Sequence, residues 1–388
     1  MKSTEDIFIV DARRTPIGKF GGGLGALSPA DLALRVAEVV TPAPLRAHVG
    51  QVILGQVIQA NTGLNVARQV GLRLGLPQHT TAYTVNMACA SGLKAVGLAA
   101  TAIATGESEL VLAGGVESMS RVPYYSLDAR WGRKLGDAPL VDGINADGLS
   151  DPVLALGMGE TAERIADAYK LTRTEQDEFA VTSQQRAGAA RAALQREIIP
   201  VETKAGKIEH DEHPRPDTTL EKLAKLKPVF RPQGTVTAGN ASGINDGAAL
   251  VLLASKAAAD RHQLRPRARI VAQAEVGCDP AMMGLGPVGA IRRLCERTGW
   301  SLAEVDAVEI NEAFAAQALG CARELKLDLA KLNQRGGAIA LGHPIGCSGA
   351  RVLVTLLHIM EDRHLRRGIA ALCVGGGMGI AMAMEREA

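Results

Sequence analysis

The sequence predicts an α/β protein built from two similar halves, with a less regular segment inserted into the first. Three observations lead there. Short apolar runs, such as Ile7 to Val10 and Glu109 to Gly115, alternate with longer helical patterns. Several segments recur in the same order at nearly one offset. The stretch from Arg121 to about Thr235 is more polar and irregular than its flanks. Strands alternating with helices imply a mostly parallel sheet covered on both faces.

Taken in order, Ile7 to Val10 reads as a buried strand, and Arg14-Thr15-Pro16 to Gly21-Gly22-Gly23 as a loop. Ser28 reads as an N-cap with Pro29 at the first helical position, and the apolar face runs through Leu32 and Val36. Val49 to Ile58 is the next strand and Asn65 to Leu74 a helix. Thr80 to Val85 is β-like and leads to an Ala-rich helix, Leu93 to Thr105. The inserted segment holds two helical patterns, Met158 to Tyr169 and Arg173 to Glu197. Ala248 to Ala254 is a further buried strand.

From about Ile270 the early pattern returns. Leu27-Ser28-Pro29 resembles Leu285-Gly286-Pro287, the prolines lying 258 apart (287 − 29). Val49 to Leu54 resembles Val305 to Ile310, at 256 (305 − 49). Ser91-Gly92 resembles Ser348-Gly349, at 257 (348 − 91). Glu109 to Gly115 resembles Gly368 to Gly376. The expected division is 1–120 with 236–268 as the first half, 121–235 as the insert and 269–388 as the second half. Functional loops are expected at the strand C-termini, pooled where the halves meet.

Composition narrows the function. With 388 residues there is ample core for more than one domain. Aromatics are 3% and the net charge is +2, so neither a stacking platform nor a broad basic surface for nucleic acid is present. The six cysteines form no C-x-x-C pair and have no histidines at zinc spacing, which reads as reduced thiols in a cytoplasmic protein without a metal. There is no apolar run long enough for a membrane span. Met1 to Val10 is not a secretory or transit signal, and Arg386-Glu387-Ala388 is not a peroxisomal address.

Four stretches carry chemistry. Cys89 lies among Ala88, Ala90, Ser91 and Gly92 at a strand-to-helix turn. Unpaired N–H groups and the helix dipole there favour negative charge and can lower a thiol pKa. A free cysteine is more often a small buried hydrophobe, so this stretch alone leaves both readings open. Asn311 in Glu309-Ile310-Asn311-Glu312-Ala313-Phe314 follows a strand and can donate from its side chain or hold a water; a turn asparagine is the commoner case. His343, between Gly342 and Pro344, sits in a rigid Gly-rich loop that suits a base. Cys373 ends an apolar strand that enters Val374-Gly375-Gly376-Gly377, whose N–H groups could meet an oxyanion. Two thiols and one histidine at element ends suggest acyl transfer with a second acid/base.

These stretches resemble the thiolases, the acetyl-CoA C-acyltransferases. The resemblance runs from Arg14-Thr15-Pro16 through Gly239-Asn240-Ala241-Ser242-Gly243-Ile244-Asn245-Asp246-Gly247 to Cys373-Val374-Gly375-Gly376-Gly377. It implies a thiolase-like five-layer αβαβα fold. It also implies reversible Claisen condensation or thiolytic cleavage of a 3-ketoacyl-CoA. Cys89 would carry the acyl group. His343 would take its proton and help meet one oxyanion, with Asn311 positioning a water there. Cys373 would move the α-proton, and the N–H groups of Cys89 and Gly375 would form a second oxyanion hole. Coenzyme A is implied as a substrate, with Arg215 near the adenine end, Ser242 near the pantetheine, and Met158 and Phe314 lining the acyl channel. From the residues alone, Arg215 reads equally as a solvated loop charge. No permanently bound cofactor or metal is implied. A homodimer or homotetramer is, with Arg121 to Val141, including Tyr124, Tyr125 and Trp131, as a tetramer-forming arm.

The chain departs from the family pattern at two places. Gly157 stands where many biosynthetic members have histidine, and Arg335 stands where a second asparagine is common. Both bear on acyl-chain preference, and Gly157 is expected to widen the channel. Alternatives remain on the sequence. A decarboxylating ketoacyl synthase would pair its cysteine with two histidines, or histidine and asparagine, and Cys373 on a Gly-rich loop speaks for a thiolase. A CoA-binding homologue without catalysis would need a broken site. Gly284 to Gly289 fits G-x-G-x-x-G, but the tight strand–turn–helix of a nicotinamide site is missing, so no nicotinamide-dependent absorbance change is expected.

Overall fold

The structure, a computed structural model, describes residues 6–204 and 206–386. The readings of Met1 to Glu5 and of the terminal Glu387-Ala388 lie outside these residues. Along the chain, β1 (Ile7–Arg14) is followed by α1 (Pro29–Val40), β2 (Gln51–Gly55), α2 (Val66–Arg73), β3 (Thr81–Val85), α3 (Ser91–Ala104) and β4 (Leu110–Ser118). A long connection carries α4 (Met158–Ala168) and α5 (Arg173–Ala189). Then come β5 (Asn245–Ser255), β6 (Ala268–Gly277), α6 (Gly286–Thr298), β7 (Ala307–Ile310), α7 (Ala315–Leu325), α8 (Ile345–Asp362), β8 (Arg367–Val374) and β9 (Met378–Glu385). Among the described residues no helix is long and apolar enough to cross a membrane.

Local chemistry sets the helix starts. Ser28 caps α1 reciprocally: Asp31 N–H donates to Ser28 Oγ at 3.2 Å, and Ser28 N–H donates to Asp31 Oδ2 at 3.0 Å. Thr172 and Glu175 repeat the device at α5. The single helix expected from Arg173 to Glu197 ends at Ala189, and a short turn, Arg191–Leu194, follows.

The sheet runs β7-β8-β9-β6-β1-β5-β4-β2-β3. The first five strands in sequence give the order β1-β5-β4-β2-β3; the later four follow the same pattern as β6-β9-β8-β7. The two runs touch through a short antiparallel contact, Phe8 to Arg269 and Ile9 to Ala268. The expectation of a mostly parallel sheet is corrected. Only β2–β3, β2–β4 and β7–β8 pair in parallel, while β1–β5, β5–β4, β6–β9 and β8–β9 are antiparallel. Each run takes in a final strand, β5 or β9, that returns in the opposite direction. Burial on both faces produces the same continuous apolar text in either direction, so hydrophobicity does not report strand sense.

Strand alternation assigns each face to a layer. Val111 and Ala113 of β4 join the central core, and Leu110 and Leu112 point the other way. The central core packs Leu93, Val96 and Ile103 of α3 and Leu353, Leu356 and Met360 of α8 between both strand runs. Outside one run lie α1 and α2; outside the other lie α6 and α7. The result is helix, sheet, helix, sheet, helix.

The two central helices meet near their N-termini, where the repeat places Gly92 and Gly349. A Cβ on Gly92 would lie 2.8 Å from Ala350 N, and one on Gly349 would lie 2.4 Å from Leu93 N. Glycine is required here because backbone touches backbone. This contact brings the start of α3, and so Cys89, up to the start of α8, and so His343.

Candidate active site

Cys89 sits in a tight turn between β3 and α3. Ala88 before it holds φ +43°, a left-handed conformation that disfavours a residue with a Cβ by about 1–2 kcal/mol. The turn is tied down by Ser91, whose Oγ accepts Met87 N–H at 2.9 Å and donates to Ala88 O at 2.7 Å. Asn86 Oδ1 accepts Ala88 N–H at 3.0 Å. Burial pushes the Cys89 thiol up to about 11, opposed by N–H groups of Gly375 and of Cys89 itself. The expected lowering by a helix terminus is therefore corrected. The donors are there, but desolvation of a thiolate outweighs them.

His343 is buried and reaches Cys89 Sγ with Nε2 at 3.3 Å. Its other nitrogen, Nδ1, lies 2.5 Å from Ser348 Oγ, and Ser348 donates its one hydroxyl proton to Pro344 O at 2.9 Å. The network thus assigns the proton to Nδ1 and leaves the Nε2 lone pair facing the thiol. Burial, helped by the Arg351 guanidinium, pushes the imidazole down to about 3, so it is neutral. Its backbone is held too: His343 N–H donates to Asn245 Oδ1 at 2.9 Å, and Asn245 Nδ2 donates to Gly18 O at 2.9 Å.

Asn311 follows β7, fully buried, with Nδ2 at 3.5 Å from both His343 nitrogens and its Oδ1 unpartnered among the described residues. A water between the two side chains would satisfy that oxygen. Its loop is fastened by Asn333, which exchanges two 2.9 Å hydrogen bonds with Ile310 and gives a third to Glu312 Oε1. Cys373, at the end of β8, is buried. Burial, and then the charge of Cys89, holds its thiol well above the ordinary value. Gly375 lies in the turn after β8; a Cβ there would come within 3.4 Å of Met158 Sδ and 3.9 Å of Ala88 Cβ.

Cys89, His343, Asn311, Cys373 and Gly375 are thus brought to one place. Met158, Phe314 and Cys373 share an apolar cluster with Phe230, which meets Phe314 edge-on at 6.1 Å. Ser242 N–H donates to Ala313 O at 3.0 Å, beside Phe314. Arg215 is exposed and is not brought to the thiols; its charge helps, after burial, to lower His213 to about 4. The sequence reading missed Asn245, Asn333, Ser348 as a hydrogen-bonding group, and Glu117. The last had a signal, a carboxylate closing an otherwise apolar strand.

A thiol facing a neutral imidazole and backbone N–H groups equips a protein for covalent acyl transfer. Comparison with known proteins carries that class to a family. The family model described as "Thiolase, N-terminal domain" matches residues 7–257, and "Thiolase, C-terminal domain" matches residues 264–386. The chain belongs to the thiolase family and is an acyltransferase. It is 50% identical to the acetyl-CoA acetyltransferase of Chromobacterium violaceum, over 98% of this chain and 100% of that one. It is 48% identical to the beta-ketoadipyl-CoA thiolase of Pseudomonas aeruginosa, over 99% and 100%. Among solved structures, human mitochondrial 3-ketoacyl-CoA thiolase in complex with CoA superposes with a TM-score of 0.96 at 43% identity, over 99% of this chain and 98% of that one.

Proposed function

We propose that this thiolase interconverts a 3-ketoacyl-CoA plus CoA with acetyl-CoA and an acyl-CoA shorter by two carbons, through an acyl group on Cys89. The observation that carries the reading is Cys89 Sγ at 3.3 Å from a neutral His343 Nε2, with the Gly375 N–H directed at the same sulfur. In the first step the sulfur attacks the thioester or ketone carbonyl and its proton passes to His343. The leaving group, CoA thiolate or an enolate, departs and takes up a proton. His343 and a water on Asn311 meet one oxyanion; the N–H groups of Cys89 and Gly375 meet the other.

Cys373 moves the α-proton. At rest its burial keeps it a thiol, which suits protonation of a departing enolate. In the reverse direction its sulfur takes the α-proton of acetyl-CoA, and acylated Cys89, which cannot ionise, puts no negative charge beside it.

Coenzyme A is assigned to the surface that includes Arg215 and Ser242, with the acyl group entering between Met158 and Phe314. A Cβ on Gly157 would meet nothing within 4 Å, which supports a channel open to chains longer than acetoacetyl. A Gly157→His variant should lose long-chain activity relative to acetoacetyl-CoA; an unchanged ratio would sink that idea. We assign residues 121–235 to a loop subdomain inserted in the first half, which otherwise comprises 1–120 and 236–268. Its arm exposes Trp131 (87%) and Leu135 (92%), a surface suited to joining dimers into a tetramer. We place the enzyme in the cytoplasm, in fatty acid metabolism.

The test is intact mass after brief exposure to acetoacetyl-CoA, with peptide mapping, for wild type and Cys89→Ala. An acetyl adduct on Cys89, absent from the variant, supports the reading. An adduct on Cys373 would mean that the two thiols are assigned the wrong way round.

A further inference from the structure

One buried acid has no part in these steps. Glu117 lies near the end of β4 with no exposed surface. Its Oε2 accepts Val57 N–H at 3.0 Å and Gly346 N–H at 2.8 Å; its Oε1 accepts Ile58 N–H at 3.2 Å. Val57 and Ile58 follow β2 in the first half. Gly346 is in the first turn of α8 in the second half, three residues past His343 (346 − 343).

The chemistry of that contact is specific. Helix α8 has Pro344 at its N-cap and no side-chain cap of its own. Its first N–H groups are therefore unsatisfied, and its positive end favours an anion. Glu117 fills both needs from the opposite half. The fit is close: a Cβ on Gly346 would lie 2.8 Å from Glu117 Oε2 and 2.7 Å from Val116 O. The acid also borders the apolar cluster of Val57, Ile58 and Ile345 that packs against Cys89. One carboxylate thus grips the loop on the thiol's side and the helix start on the imidazole's side.

We propose that Glu117 is a positioning residue, which caps α8 from the other half of the molecule and so sets His343 Nε2 at its distance from Cys89 Sγ. The proposal rests on the roles given above to Cys89 and His343. The test is a double-mutant cycle on thiolysis of acetoacetyl-CoA, run above the value of about 7 at which buried Glu117 loses its proton, with Glu117→Gln, His343→Ala and the pair. Glutamine keeps the volume but cannot accept three N–H groups with charge. Since a misplacement of about 1 Å can lower a rate by about 10²-fold, Glu117→Gln should lower kcat by at least about tenfold with KM within about twofold.

In the His343→Ala background the same change should do nothing further, because the group it positions is gone. The pH profile of Cys89 alkylation by iodoacetamide should shift in Glu117→Gln as it does in His343→Ala. Losses that multiply, an unshifted profile, or full kcat in Glu117→Gln would each overturn the proposal. A His343→Ala enzyme with full activity would instead overturn the roles beneath it. Glu117→Asp, one methylene shorter and still charged, runs the same cycle should the glutamine variant fail to fold, with a smaller loss that also vanishes without His343.

Discussion

Ser91 and Ser348 occupy matching places in the two halves, each ahead of a glycine that lets the central helices touch. Their hydroxyls have different partners. Ser91 bonds only to backbone, Met87 N–H and Ala88 O, and so shapes the turn that presents Cys89. Ser348 bonds to backbone at Pro344 O and to a side chain, His343 Nδ1, and so selects a tautomer. The difference teaches how a repeated scaffold divides its labour. One half uses the position to hold the strained backbone before Cys89, the proposed nucleophile; the other uses it to orient His343, the proposed base.

The comparison can be broken first at the base itself. His343→Ala should lower kcat by about 10²–10⁴-fold, the range for general acid–base groups, with the fold intact by circular dichroism; a loss under tenfold would remove the second half from the chemistry. Next, Ser91→Ala leaves Met87 N–H without its acceptor and should cost about 1–3 kcal/mol in denaturant unfolding. Ser348→Ala should leave stability closer to wild type and lower kcat by about tenfold, the worth of one hydrogen bond. If Ser91→Ala impaired only rate and Ser348→Ala only stability, the division drawn above would be reversed.

A last effect is on pH dependence, where the halves oppose each other. His343 titrates at about 3 folded against 6.5 for the free group. As pH falls below 6.5 the unfolded chain takes up a proton that the folded one refuses, so stability is lost toward acid. Glu117 is pushed up by burial to about 7 against 4.5. Here the folded chain holds the extra proton, so stability is lost as pH rises from 4.5 to 7. Unfolding measured between these values should show a shallower acid loss in His343→Ala and a steeper one in Glu117→Gln. Shifts of the same sign would contradict these directions.

Much of this was legible in the text of the chain. The repeat was visible because Ser-Gly recurs at Ser91-Gly92 and Ser348-Gly349, where the central helices touch, and a proline recurs at a helix start, Pro29 and Pro287. His343 and Cys373 stood out because glycines around them signal backbone near reacting atoms. Strand direction was hidden, since strands buried on both faces look alike either way. The left-handed Ala88 was hidden because alanine gives no sign of a positive φ; the side chains of Asn86 and Ser91 on either side of it hold the turn. The Cys89 thiol was misjudged because local sequence shows the N–H groups that favour a thiolate and not the burial that opposes it. Arg335, a departure in the sequence, turns out to serve packing: it is buried and pairs with Asp362 at the far end of α8.

The neutral resting state of Cys89 and His343 has a consequence for the lifetime of the enzyme. Peroxides and adventitious alkylators react with thiolates, and this sulfur is a thiol until something makes ionisation worthwhile. Near neutral pH an electrophile draws out the thiolate most readily by setting a carbonyl oxygen against the waiting donors as the proton leaves. Small oxidants bring no such oxygen to be stabilised. The site therefore screens its electrophiles by shape rather than by reactivity, and an enzyme that works with a bare cysteine can persist where a permanently ionised one would be consumed.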